Sequence, residues 1–179
     1  MKQLQNETAV IYTSKTGFTE KYAKWIAQEM QCEAIPLKKA LSRPLKEYDL
    51  LIYGGGLTAG MVNGLNKIKN REELKGKRLI LFAVGAMPHV PAAVQKVKED
   101  NLAKWERRDV PFFYLEGGID YDALGFFKKG ILKSIYRLLA KKSDKTEEET
   151  AMMMSMKDSF DHTRKENIHD LLACARDNQ

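Results

Sequence analysis

Short apolar runs alternate with amphipathic stretches through the first two thirds of the chain. Residues 8–13, Thr-Ala-Val-Ile-Tyr-Thr, are rich in β-branched side chains and predict a first strand. From Phe18 to Met30 the apolar positions Tyr22, Trp25, Ile26 and Met30 recur at helical spacing. A short second strand is expected over 32–37, closed by Pro36, and Lys38 to Lys46 reads as a basic turn. Residues 48–53 are apolar enough for a strand buried on both faces, and Gly54-Gly55-Gly56 predicts that the chain turns there. Val62 to Lys69 predicts a short helix, followed by a polar connection to Lys77. Arg78 to Val84 is the clearest buried strand, ended by Gly85. Val90 to Trp105 is helical, and Pro111 to Leu115 is a fifth strand stopped by Gly117-Gly118. This alternation implies an α/β fold, with a parallel sheet, helices on both faces and right-handed crossovers.

Past residue 118 the rhythm breaks. Tyr121 to Lys142 predicts one long helix, and a polar run reaches Glu149. Thr146-x-x-Glu149 has the form of a capping box for a short helix carrying Met152, Met153, Met154 and Met156. Thr163-x-x-Glu166 has the same form, before a last helix with Ile168, Leu171, Leu172 and Ala175 on its apolar face. The methionines read as core filling or an adaptable contact surface. On a wheel of ~100° per residue, Phe127, Ile131, Ile135, Leu138 and Leu139 share one arc. Lys129, Lys133, Arg137 and Lys141 occupy the opposite one. The chain reads as a single domain, 1–179, with 118–150 a basic amphipathic helical insertion.

Composition changes this picture little. Apolar residues make up 44% and charged ones 30%, as in a soluble globular protein. Cys32 and Cys174 form no C-x-x-C or metal-ligand spacing and fit a reducing compartment, and no metal site is expected. Met1 to Glu7 is polar, and the apolar stretch after it is too short for a signal core or a membrane span, so the expected location is cytoplasmic. The net charge of +6 calls for an acidic partner. From Gly118 to Lys145 seven Lys/Arg stand against three Asp, so that segment alone supplies +4. A basic amphipathic helix is suited to a membrane surface on its cytoplasmic side, here through 124–142, or to an acidic partner; it also suits a solvated face. Nucleic acid is not expected as a partner.

In an open parallel sheet a ligand lies beyond the carboxyl ends of the strands, where strand order reverses. Three loops fall there: Ser14–Thr19, Gly54–Gly60 and Gly85–His89. The first joins a strand to a helix. Unpaired N–H groups and the positive end of the helix dipole make such a junction a phosphate site. Ser14, Thr16 and Thr19 offer hydroxyl donors, Lys15 a positive charge and Gly17 backbone freedom. The plainer reading is a helix cap with no ligand. Gly54-x-Gly56-x-x-Ala59 has the form of a dinucleotide fingerprint, but it follows the third strand and lacks the acidic residue about 20 positions on. No Walker sequence is present. His89 could donate a proton near a cofactor, or simply sit in solvent at a helix start.

Ser14-Lys15-Thr16-Gly17-Phe18-Thr19 matches the flavodoxin family's phosphate motif, T/S-x-T-G-x-T, at every fixed position and in the expected place. The resemblance spans about residues 8–117. It implies a flavodoxin-like doubly wound five-stranded parallel sheet, order 2-1-3-4-5, with a helical insertion after strand 5, and FMN as cofactor. Ser14, Lys15, Thr16, Gly17, Phe18 and Thr19 would then hold the phosphate. Gly54, Gly55, Gly56, Leu57, Thr58 and Ala59, with Val84, Gly85, Ala86, Met87, Pro88 and His89, would flank the ring. Neither flanking loop has the Trp or Tyr that many flavodoxins stack on the flavin, so Leu57, Met61, Met87 or His89 is left to cover it.

Residues 117–121, 125–128 and 141–145 also resemble, in layout, the menaquinone-dependent protoporphyrinogen dehydrogenases. This implies an oxidoreductase passing electrons from a substrate through flavin to a quinone, with the insertion helping to dock a quinone or porphyrin-like molecule. The alternative is a flavodoxin-type electron carrier serving a redox partner protein, with no substrate turnover of its own. No catalytic side chain is singled out.

Overall fold

The computed structural model describes residues 7–177 except 104, 108, 124, 148, 151–152 and 154–158. Five parallel strands form the central sheet: β1 (Thr8–Thr13), β2 (Glu33–Pro36), β3 (Leu50–Thr58), β5 (Arg78–Gly85) and β6 (Phe112–Glu116). Their order is β2-β1-β3-β5-β6. Counting the parallel strands alone, this is the 2-1-3-4-5 arrangement expected from the sequence. A short strand β4 (Met61–Val62) hairpins back onto β3.

Strict alternation along the strands explains why both sheet faces are dry. Ile11, Leu51, Tyr53, Leu79 and Leu81 point to one face, where α2 (Leu37–Ala40), α3 (Leu65–Lys69) and α4 (Pro91–Leu102) contribute Leu37, Ile68 and Leu102. Val10, Leu50, Ile52, Ile80 and Phe82 point to the other. Tyr22 and Ile26 of α1 (Phe18–Glu29) and Leu171 of α6 (His169–Arg176) cover that side.

Several boundaries differ from the expected ones. The chain does not turn at Gly54-Gly55-Gly56, because β3 runs straight through to Thr58. Gly54 pairs with Tyr12 and Phe82, and a Cβ on it would lie 1.9 Å from the Phe82 ring. Its glycine makes room for an aromatic ring inside the sheet. The true turn is at Ala59-Gly60, both at positive φ (50° and 77°), as a two-residue hairpin with right-handed strand twist demands. Leu37–Ala40 is a helical turn where a basic loop was expected. Thr163 forms no capping box; its N–H and hydroxyl both donate to Asp161 Oδ1, at 2.8 and 2.6 Å. The Thr146–Glu149 box does form. Met152, Met154 and Met156 lie outside the described residues.

After β6 the chain makes a two-residue strand, β7 (Gly118–Ile119), and pairs it antiparallel with β8 (Phe160–Asp161). The excursion between them carries α5 (Phe126–Lys141). Lys21 pairs with Asp161 at 2.9 Å, and the Tyr22 hydroxyl accepts from Asn167 Nδ2 at 2.7 Å, so α1 pins the returning segment. No helix among the described residues is long and apolar enough to cross a membrane.

Candidate functional site

β1, β3 and β5 deliver their loops to one end of the sheet, and a cavity of about 460 Å³ opens between them. Its floor is the junction of β1 with α1. Gly17 precedes the helix in the left-handed region, φ 91°, and donates its N–H to Ser14 Oγ at 3.1 Å. Among the described residues no side chain caps α1. The first-turn N–H groups are therefore unclaimed by the helix itself, at a junction whose residues Thr16, Phe18 and Thr19 line the cavity. Lys15, Thr16 and Thr19 line the cavity there. Thr19 is 3% exposed, and its Oγ1 lies 3.4 Å from where a Cβ on Gly56 would stand.

The walls are mostly apolar: Phe18 from α1, Leu57 from β3, Val84 and Ala86 from the end of β5, and Ile119 from β7. Phe18 packs its ring against Gly118, where a Cβ would come within 2.8 Å of it. Leu132 of α5 completes the lining, so the insertion shares the cavity with the three loops. Among the described residues two charges line the cavity, Lys15 and Asp120; one Asp120 oxygen accepts the Ala123 N–H at 3.0 Å.

Buried polar groups hold the loops from beneath. The Tyr53 hydroxyl donates to the Asn63 carbonyl at 2.6 Å and lies 3.1 Å from Thr13 Oγ1. Asn101, 1% exposed, bridges α4 to the β3–β4 hairpin. Its Nδ2 donates to the carbonyls of Gly60 and Val97, each at 2.8 Å, and its Oδ1 accepts from Val62 N–H at 2.9 Å. The Tyr114 hydroxyl donates to the Met87 carbonyl at 2.7 Å. Burial pushes both tyrosines up to about 12, so each is a fixed donor near neutrality.

The structure divides the expected residues. Lys15, Thr16, Phe18, Thr19, Gly56, Leu57, Thr58, Val84, Gly85 and Ala86 line the cavity. Ser14 and Gly17 shape its floor loop without lining it. Gly54 and Gly55 do not reach it, because they sit inside β3, where the Phe82 ring, the Val62 side chain and the Asn63 backbone fill the space a side chain would need. Ala59 is at the hairpin tip. Met87, Pro88 and His89 also lie outside the lining. The Tyr114 bond and the His89 N–H donated to Glu116 Oε1, 2.8 Å, draw that loop toward β6. The exposed His89 ring rests edge-on to Tyr114, 6.1 Å between centroids. Of the four side chains left to cover a ring, Leu57 alone lines the cavity.

Asn63, Gly118, Ile119, Asp120 and Leu132 line it without having been expected. The glycine pair 117–118 signalled a strand stop and equally a close approach, here to Phe18 and to the Phe160 carbonyl. The half-buried side of α5 carries Leu132, Ile135, Tyr136 and Leu139, of which Ile135 and Leu139 belong to the expected stripe, and leaves Leu138 of that stripe 72% exposed. The side chains of Phe127 and Ile131 lie outside the described residues. Lys129 places its ammonium 4.9 Å over the Tyr121 ring, while Lys133, Arg137 and Lys141 are exposed. Among the described residues no group of His, Cys, Asp or Glu could hold a metal ion.

The cavity fits a phosphate ester joined to a flat apolar ring. Its floor offers an uncapped helix start, two threonine hydroxyls and a lysine, its walls are aliphatic and aromatic, and its size is usual for such a ligand. A family model described as Flavodoxin domain matches residues 9–146. No curated protein matches the chain. Solved structures similar in part include a flavoprotein in complex with FMN from Lactobacillus acidophilus NCFM, 14% identical over 63% of this chain and 93% of that one, TM-score 0.43. The Trp repressor binding protein from Bacillus subtilis is 18% identical over 62% and 83%, TM-score 0.46. A flavodoxin from the domain Archaea is 16% identical over 65% and 88%, TM-score 0.41.

Proposed function

The chain belongs to the flavodoxin-domain family, and from that premise we propose an FMN-dependent oxidoreductase that takes electrons from a porphyrinogen-class substrate and delivers them to a quinone. One observation carries this reading: Leu132 of the insertion stands in the wall of the same cavity whose floor is the phosphate loop. An electron carrier has no need of a helix at that place. FMN, when bound, supplies reversible electron storage. The chain's own residues bind and orient it: Thr16, Thr19 and the N–H groups opening α1 take the phosphate, and Lys15 adds charge. Leu57, Val84 and Phe18 exclude water from the ring's surroundings.

Among the described residues neither flanking loop, 54–60 nor 85–89, brings a Trp, Tyr or Phe to the cavity, which supports room for a second flat molecule beside the ring. The exposed arc of α5, with Lys133, Arg137, Lys141 and Leu138, suits anionic headgroups or a substrate's carboxylates and supports contact with a membrane surface. The test is purification with identification of the extracted flavin, then quinone reduction with protoporphyrinogen as donor. Turnover that fails on exchanging Leu132 for aspartate, with FMN retained, is the expected result. Electron exchange with a reductase but no turnover of porphyrinogen or quinone would reject this reading in favour of the carrier. Vesicles of anionic lipid should retain the protein at low salt, and a variant neutralised at Lys133, Arg137 and Lys141 should lose that retention.

A further inference from the structure

A second cavity, about 530 Å³, lies at the opposite end of the sheet, where the chain enters β5 and β6. It is walled by the 69–76 connection and by Trp105, Glu106 and Arg107. Lys75 there is matched by Glu72, 2.7 Å away, and feels Glu106. Arg71 is bonded to Glu73 and to the carbonyls of Ala40 and Arg43. Two cations are left with no carboxylate partner among the described contacts. Among the described residues Arg107 donates to the carbonyls of Leu74 and Lys77, at 3.2 and 2.6 Å, which uses two of its five guanidinium N–H groups. Lys69 donates to the Asn101 carbonyl and holds its ammonium 5.4 Å over the Trp105 ring.

We propose that this cavity binds a small phosphate-bearing anion, held between Lys69 and Arg107. The cavity's two carboxylates, Glu72 and Glu106, act on Lys75, so the half-buried positive charge of Lys69 and Arg107 is left without a carboxylate of its own, as an anion site requires, and a planar guanidinium matches phosphate geometry. Burial alone pulls Lys69 below the ordinary lysine range, and an anion beside it would reverse that. The site shares no lining residue with the cofactor cavity, so it stands or falls independently of the proposed activity.

Calorimetric titration of the FMN-loaded full chain at low salt, with pyrophosphate and separately with ADP, tests it. Both should bind, and Lys69→Met should weaken both by about tenfold or more. Lys67→Met, an exposed neighbour on the same helix, should change either by less than about twofold. Tighter binding of ADP would assign the site to a nucleotide, and equal binding to a free polyphosphate. In the unaltered protein, pyrophosphate should protect Lys69 but not Lys67 from an amine-acylating reagent, read by peptide mass. Absence of binding at millimolar ligand, unchanged affinity in Lys69→Met, or no protection of Lys69 would overturn the proposal.

Discussion

Replacing Asn101 by alanine should loosen the cofactor cavity from a distance, because one buried amide ties α4 to the hairpin that supplies Leu57 and Thr58. The side chain makes three hydrogen bonds at 2.8–2.9 Å while almost wholly removed from solvent. At about 1 kcal/mol net for each, the loss is about 3 kcal/mol, and more where the Val62 N–H stays buried and unpaired. Against a total stability of roughly 5–15 kcal/mol that is a large change. Urea unfolding should show it as a lower midpoint at unchanged slope. FMN affinity should fall about tenfold as the hairpin arm loses its anchor. Asn101→Asp separates hydrogen bonding from volume. Its Oδ1 still accepts from the Val62 N–H, but the oxygen that replaces Nδ2 faces the Gly60 and Val97 carbonyls, which need a donor. Burial raises its folded pKa above the unfolded value of about 3.9, so stability is retained below about pH 4 and lost as pH rises. An Asn101→Ala protein within about 0.5 kcal/mol of the parent, or an Asp variant insensitive to pH, would refute this reasoning.

Gly54→Ala should destabilise by about 1–3 kcal/mol or prevent folding, since its methyl meets the Phe82 ring, and Phe82→Leu should recover part of the loss in a double-mutant cycle. Ala59→Asn should stabilise by roughly 0.5–1 kcal/mol in thermal melts, because asparagine tolerates the left-handed φ of 50° that alanine resists. Burial pushes the Cys32 thiol up to about 11 and the Tyr53 and Tyr114 hydroxyls to about 12. The unfolded chain gives up these protons first, so their contribution is intact below about pH 9 and lost as pH rises toward 12, measured by unfolding midpoints and phenolate absorbance.

The parallel sheet was readable because its strands are apolar on both faces and its helices keep a 3.6-residue period, as Tyr22, Ile26 and Ile80 show. The floor of the cavity was readable for a local reason: Ser14 to Thr19 is one continuous strand-to-helix junction. What escaped depends on distance along the chain. Gly54 reads as a turn until Phe82, from a different strand, is placed over it. Met87 and His89 follow the right strand, but Tyr114 and Glu116 of β6 draw their loop away. Ile119 lines the wall from β7, which pairs with β8 some forty residues later, and Leu132 lines it from the excursion between them. On α5, Ile135 and Leu139 are half-buried as the periodicity expects, whereas Leu138 is exposed and Leu132, outside the expected stripe, lines the cavity.

The central claim is that the N–H groups opening α1 and the hydroxyls of Thr16 and Thr19 receive a phosphate ester. Parallel titrations with FMN and riboflavin, which differ only in that ester, test it most directly. The parent should bind FMN at least about a hundredfold more tightly than riboflavin. Thr16→Glu, which brings a carboxylate to the same floor, should abolish the preference and leave riboflavin binding nearly unchanged. Equal affinity for the two ligands in the parent, or a preference that survives Thr16→Glu, would contradict it.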